Sequence, residues 1–466
     1  ALKQTGDSIE NFTIPLGSMI IPNLQPEAPL IAAILEFDAE IIESVLEEER
    51  RQTLKNSSSI MYDTTAFNLT MMYGLDAVTV QENIQKNVKK WEPLKAEINV
   101  DKDALMWAVN GHDDRSVAFA ARLMELGVEV RIIDKDALLS EQPLPRGSVV
   151  VIGMDNPDYQ DLSSVISSVA SGLDLSVVSI SSGFGAEELP DWGGRHFRLL
   201  ERPQIALMAH QDFSSYDVGV SWWSLDHHLG IRHSMVNGSS LNYGDLRRYN
   251  TIIMPSGYQN LSNSEINSLK EWIRQGGTLI AHNASSRSLS YENGIGSVRQ
   301  VSSTFDKSEE YNMDLQREFG ALNIEIDMAD TNKNRVDHDV EYPWEGSSNK
   351  YNKAQLEKRD EWQSLFMPSG AFVAGRIDDE HWLTFGTIDT LPVLYSNLPV
   401  LMTGGNSEAA VRIGEIVQSD EETYRTINWS DMPPKTDLNV RMSGLVWPEA
   451  SQRIANSAYL TRERIG

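Results

Sequence analysis

Tyr249-Asn-Thr-Ile-Ile-Met-Pro-Ser-Gly257, then Ser262-x-x-Glu265, then Gly276-Gly-Thr-Leu-Ile-Ala281 is the stretch that decides the fold of this chain. Residues 251–254 form a short apolar run ending at Pro255-Ser256-Gly257, the composition of a strand entering a turn. Ser262 and Glu265 have the spacing of a capping box, in which each side chain bonds the other's backbone N–H at a helix start. Ile266, Leu269 and Ile273 fall on one face of that helix, and Gly276-Gly277 stops it before a strand at 278–281. Upstream, strands at 205–209 and 231–236 flank a helical stretch at 219–229. Strands alternating with helices in this way predict a doubly wound α/β sheet.

The same alternation reaches back to residue 105. From 105 to 180 the order is strand, helix, strand, strand, helix, strand, which favours a second, largely parallel α/β layer. Part of this layer is written twice. The later copy runs Arg122-Leu-Met-Glu-Leu-Gly127, a strand at 128–133, Gly147-Ser-Val-Val-Val151 and a helix at 158–170. The earlier runs Ala1-Leu-Lys-Gln-Thr-Gly6, a strand at 12–14, Gly17-Ser-Met-Ile-Ile21 and a helix at 27–35. An opening strand (105–109) and a full helix (116–126) belong to the later copy, whereas the earlier holds only the last turn of that helix. The expectation is a junction at Ala1 and a strand missing after Gly466, with sheet edges left exposed or covered by a second chain.

Three segments follow: 1–95, a truncated repeat with connecting helices; 96–198, a small α/β domain; and 199–466, an α/β domain with a polar insertion at about 285–365. The acidic run Glu36, Asp38, Glu40, Glu43 and Glu47 to Glu49 reads as a solvated helix face. Short strands are expected again at 370–376, 382–385, 399–403 and 411–417.

The 466 residues suffice for two or three domains with sizeable cores, and 41% apolar with 23% charged residues is ordinary for a globular protein. A net charge of −27 argues against nucleic acid, whose phosphates would be repelled over most of the surface. No apolar run approaches the roughly 18 residues of a membrane span. The absence of cysteine excludes disulfides, thiolate zinc sites and a cysteine nucleophile.

Several stretches resemble the region downstream of the catalytic domain in large bacterial zinc carboxypeptidases of the carboxypeptidase A-like family. They are Gly17-Ser-Met-Ile-Ile-Pro22 with Gln25-Pro26, Tyr62-Asp-Thr-Thr-Ala-Phe-Asn-Leu69 with Tyr73-Gly-Leu75, and residues 249–257 and 276–281. Leu445-Val-Trp-Pro448 and Ala458-Tyr-Leu-Thr-Arg462 complete the set. The resemblance implies a flavodoxin-like, glutamine-amidotransferase-like sheet for the doubly wound part. It also implies a peptidase domain upstream, zinc held there and not in this chain, and a periplasmic or secreted location.

Tested residue by residue, the chain offers little chemistry of its own. Zinc carboxypeptidases hold their metal through His-x-x-Glu and a distant His. The one match here is His338-Asp-Val-Glu341, with His381 downstream. Nine histidines and Glu at ordinary frequency give about 0.7 such matches by chance, and a charged irregular loop is a poor frame for zinc. Asp330, Asn332, Asn334 and Glu341 match ligand positions of a calcium loop, but Arg335 stands where its sharp turn needs Gly. The cysteine nucleophile of amidotransferases is missing. His210, Asp212, Ser256, His282 and Ser285 follow strand ends, and strand C-termini converge on a crevice in open α/β sheets. Asn110-Gly-His-Asp-Asp114 reads as a helix cap, with its two aspartates favoured by the helix dipole. Trp222 and Trp223 are adjacent on a helix, so one of them is expected in the core.

The expectation from sequence is a non-catalytic accessory region of an exported zinc carboxypeptidase-like protein, partnered by the upstream peptidase domain or a second chain. A ligand-binding α/β protein using the crevice is the alternative, and a serine hydrolase there is a third reading.

Overall fold

The structure is a computed structural model, and it describes residues 2–3, 13–37, 41–61, 64–81, 84, 88–93, 95–186, 188–210, 212–238, 240–257, 261–291, 294–305, 352–404, 406–416 and 438–465. Two compact units share the chain: residues 1–89 with 290–464, and residues 90–289 with 465–466. The second unit is thus inserted in the sequence of the first. The split near residue 290 differs from the three segments drawn from sequence.

In the first unit, β1 (Leu2–Lys3) pairs antiparallel with β2 (Val78–Thr79). Between them lie α1 (Ala28–Leu35), α2 (Glu43–Asn56) and α3 (Leu69–Met72). The acidic face of α2 is solvated only in part. Glu43 and Glu47 are exposed, but Glu49 is buried and accepts the Ile60 N–H at 2.8 Å. Asp38 and Glu40 lie outside the described residues.

The inserted unit opens with β3 (Met106–Val109), α4 (Arg115–Glu125), β4 (Arg131–Ile133), β5 (Ala137–Leu139), β6 (Gln142–Leu144), β7 (Val149–Ile152), α5 (Leu162–Leu173), β8 (Val178–Ile180) and β9 (Phe197–Leu199). Its sheet runs β8-β3-β7-β4-β9, and every pairing is antiparallel. This corrects the expectation of a largely parallel layer. Each helix crossover skips one strand: α4 carries the chain from β3 over β7 to β4, and α5 from β7 over β3 to β8. The skipped strand runs the opposite way, giving a split β-α-β arrangement. The strands alternate as a two-sided sheet requires. Trp107, Val109, Val149 and Val151 pack with Phe119 and Leu123 of α4 and Ile166 of α5. Met106, Ala108, Val150 and Ile152 pack with Leu139 and Leu144 of the β5-β6 hairpin on the other face.

A second sheet follows in the same unit, from β10 (Ile205–Ala209), α6 (Ser215–Trp223), β11 (His233–Asn237), α7 (Ser240–Tyr243), β12 (Thr251–Met254), α8 (Asn263–Arg274) and β13 (Thr278–Ala281). Its order is β11-β10-β12-β13 and all pairings are parallel. The doubly wound reading therefore holds for these four strands. The Ser262–Glu265 capping box is formed in both directions. Leu269 and Trp272 bury the inner face of α8, and Trp272 fills the space beside Gly277, where an added Cβ would lie 2.4 Å from the indole.

The first unit resumes with β14 (Arg299–Gln300), α9 (Lys353–Ser364), β15 (Ser369–Ile377), β16 (Thr390–Ser396), β17 (Leu401–Met402), β18 (Ser407–Ile413), β19 (Glu415–Ile416), β20 (Leu438–Asn439), β21 (Arg441–Ser443), α10 (Pro448–Ile454) and β22 (Ala458–Glu463). Seven strands form one sheet in the order β14-β17-β22-β18-β15-β16, with β21 also on β15, and every pairing is antiparallel. Val373, Val393, Tyr395, Ile413 and Ile454 lie in its core. The strand expected at 382–385 is a single 3₁₀ turn, Trp382–Thr384, held by Thr384 Oγ1 donating to the Asp378 and His381 carbonyls. Strand β22 is an interior strand between β17 and β18.

Candidate functional site

In the parallel sheet the connections leave in opposite directions from β10 and β12, and the crevice of such a sheet lies beyond those two strand ends. The loop after β10 starts at His210, whose φ of 87° puts a non-glycine residue in left-handed space. Its carbonyl accepts the Phe213 N–H at 3.0 Å, which closes the turn. Phe213 then bridges to Gly257 across the switch point, and the Ser214 N–H donates to the Ser256 carbonyl at 2.8 Å. Close approach demands glycine at 257, since an added Cβ would sit 2.4 Å from the Asp212 carbonyl oxygen. The two loops are stitched to each other, and His210 and Asp212 remain on the solvent side.

His282 follows β13 and extends its ladder, donating its N–H to the Met254 carbonyl at 2.9 Å. His282 is exposed, yet the atoms packed around part of its ring push its pKa below the ordinary histidine range, and the charge of Asp217 pulls the other way. Asp217 belongs to the first turn of α6, whose N-cap Ser214 accepts its backbone N–H. Sequence reasoning missed Asp217. An acidic residue three positions after a capping serine looks like an ordinary helix start, and only the strand order brings it near His282.

The two serines divide. Ser285 is fully buried and its hydroxyl donates to the Pro255 carbonyl, so it ties the segment after β13 to the segment after β12. That bond engages the hydroxyl proton in holding the two segments together. Ser256 is half-buried, with its carbonyl committed to the Ser214 N–H. The crevice thus gathers His210, Asp212, Ser256, Asp217 and His282 around one sheet end, with Ser285 beneath.

Elsewhere the candidate residues have other partners. Asp113 accepts both the backbone N–H and the guanidinium of Arg115, and this pairing holds its carboxyl below the usual carboxylate range. Asp114 is the N-cap by position but its side chain makes no cap bond. Neither Trp222 nor Trp223 enters the core. Both are exposed, and Trp223 stacks on His227 with centroids 4.0 Å apart, because i and i+4 share a helix face. His381 faces Glu408 at 3.4 Å, and Glu408 also accepts from Arg462 at 3.0 Å. Asp330, Asn332, Asn334, His338 and Glu341 lie outside the described residues. Among the described residues no group of three His, Asp or Glu side chains could hold a metal ion, and no helix is long and apolar enough to cross a membrane.

Residues 62–69 and 445–448, far apart in sequence, come together in the first unit. The Thr65 N–H donates to the Gly370 carbonyl at 2.7 Å and its hydroxyl to the same oxygen at 2.9 Å, while the Leu445 N–H donates to that hydroxyl at 2.8 Å. Gly370 and Gly444 both have positive φ, and a Cβ on either would strike the residues around Thr65. Next to this knot, Arg50 lies over the rings of Phe366 and Trp447, at 4.6 and 5.1 Å from their centroids, and pairs with Glu449. No family model, curated protein or solved structure matches the chain.

Proposed function

We propose that this chain is a non-catalytic accessory region of an exported zinc carboxypeptidase-like protein, acting in the periplasm or outside the cell. The observation that carries the reading is the Thr65 knot. Thr65 and Leu445, from stretches 380 residues apart that both resemble the same family, are hydrogen-bonded to each other. Residues of a family pattern that serve to hold a scaffold together fit a supporting role better than a catalytic one. In the parent, zinc-bound water would remove C-terminal residues from peptides. Of the residues weighed for zinc, His381 is the one described, and it faces Glu408, a carboxylate that also accepts from Arg462. On this reading the zinc is held by the parent's catalytic domain. The test is to incubate the purified chain with zinc, dialyse it, and measure bound metal together with release of C-terminal residues from a peptide. Neither bound zinc nor release is expected; one equivalent of zinc with peptide turnover would overturn the reading.

A ligand-binding crevice is the second reading, and the backbone of His210 favours it. Left-handed geometry at a bulky residue costs on the order of 1 kcal/mol or more and clusters at binding sites. Saturable binding of a small carboxylic acid or peptide, lost in a His210→Ala, His282→Ala double variant that melts like the parent, would support it. Equal binding by both proteins would end it.

A further inference from the structure

The loop that joins β15 to β16 is pinned where it begins. The Asp378 N–H donates to the Ala410 carbonyl of β18 at 3.0 Å, and the Asp378 carboxylate accepts the Glu380 N–H at 3.1 Å. The His381 N–H returns to the Asp378 carbonyl at 3.2 Å, and Thr384 Oγ1 donates to the carbonyls of Asp378 and His381. These bonds wind Trp382–Thr384 into a single 3₁₀ turn.

The first N–H groups of any such turn lack partners within it, and here a histidine supplies one. His381 Nδ1 accepts the Leu383 N–H at 3.1 Å, the place that serine or asparagine usually fills at a helix start. A ring nitrogen that accepts carries no proton, so the capped turn holds a neutral imidazole with its proton on Nε2. Nε2 faces Glu408 Oε2 of β18 at 3.4 Å. The ring is buried, with the Trp382 indole beside it at 5.9 Å between centroids.

The two nitrogens answer to opposite demands. The cap at Nδ1 requires the neutral ring, whereas the carboxylate at Nε2 favours the imidazolium. Among the described residues the charged groups around the ring are Glu408 from β18 and Arg462 from β22, which donates to Glu408 at 3.2 and 3.0 Å. Asp378, Asp379 and Glu380 belong to the ring's own loop. Carboxylates outnumber the guanidinium, so a second proton on the ring meets negative charge. Histidine is the side chain whose charge ordinarily changes between pH 5 and 8. A proton on Nδ1 turns that acceptor into a donor set against the Leu383 N–H, and the cap is lost.

We propose that His381 is a proton-operated latch on the β15–β16 loop. Neutral, it caps the turn and fixes residues 381–384 against β18. Protonated, it keeps Glu408, gives up Leu383, and lets the turn unwind with the exposed Trp382 and Leu383 at its head. The latch stands on this hydrogen-bond geometry and is independent of both the accessory and the ligand-binding readings.

The experiment uses the full chain labelled with nitrogen-15. Protection of the Leu383 amide against hydrogen exchange, corrected for the intrinsic effect of pH, is measured at about pH 7.5 and 5, and the His381 ring nitrogens are followed in the same samples. The expected result is protection at Leu383 that falls about five- to tenfold on acidification, the loss of one cap bond. Nδ1 should be bare at the higher pH and protonated at the lower, while the amides of β15 and β18 keep their protection. His381→Asn, whose amide oxygen can hold the same cap without titrating, should stay protected at both values. His381→Ala should be unprotected at both; if it fails to fold, the parent and His381→Asn decide. Unchanged protection in the parent would overturn the proposal. So would a His381→Asn variant that loses as much as the parent, a proton on Nδ1 at the higher pH, or loss of protection in β15 and β18 together with Leu383.

Discussion

Arg50 is held by three neighbours at once: two aromatic faces and a carboxylate. Burial alone would raise the Glu449 pKa, but the bond from Arg50 and a backbone N–H outweigh it and leave the carboxyl below its ordinary value. Arg50→Ala is expected to lower stability by about 1–2 kcal/mol, and Arg50→Lys to recover only part, because an ammonium lacks the flat guanidinium face. Thermal or urea unfolding of the two variants checks this. His282 gives a pH effect with a definite sign. Its folded pKa is depressed, so the unfolded chain binds protons more readily, and the stability it contributes is complete above the unfolded value of about 6.5. That contribution is lost as pH falls through the folded value. A His282→Asn variant should therefore lose less stability than the parent on acidification from about 6.5 down through the folded value. Asp217→Asn should lose more, since the charge that favours the imidazolium is gone. Melts between pH 7.5 and 5 decide both.

At the scale of elements, glycine positions separate two outcomes. An added Cβ on Gly111 would lie 2.2 Å from the Gly147 backbone, which cannot step aside, whereas Gly172 in α5 has nothing within 4 Å. Gly111→Ala is expected to cost about 2–4 kcal/mol. Gly172→Ala should gain about 0.4–1 kcal/mol by narrowing the unfolded ensemble. Denaturant midpoints measure the contrast. Elements whose signals are local were legible in the sequence: the Ser262–Glu265 cap, the strands at 251–254 and 278–281, and the helix 115–125 to within a residue or two. Strand direction from 105 to 180 was not, because alternation of strand and helix does not reveal whether a crossover skips a neighbour. The 3₁₀ turn at Trp382–Thr384 was misread as a strand because its apolar residues carry no period. In the crevice, the strand-end rule gathered His210, Asp212, Ser256 and His282, but it could not reveal that Ser285 spends its hydroxyl on Pro255.

On the scale of the whole molecule, one unit interrupts the other in sequence. The inserted unit builds its three sheets, the β5-β6 hairpin included, from its own strands, and all their pairings are internal. Residues 90–289 expressed alone are expected to unfold in one cooperative transition with native near-UV circular dichroism; a gradual, featureless melt would show that the unit depends on the rest.

The place of β22 sets a timetable for synthesis. The inserted unit has every strand it needs once residue 289 has left the ribosome. The surrounding sheet does not, because β22, which separates β17 from β18, is made only after the whole inserted unit. At usual elongation rates roughly 10–35 s pass between those two points. During that interval β17 and β18 lack their common neighbour and present open edges to other nascent chains. A chaperone that shields such edges should raise the yield of the surrounding unit more than that of the inserted one.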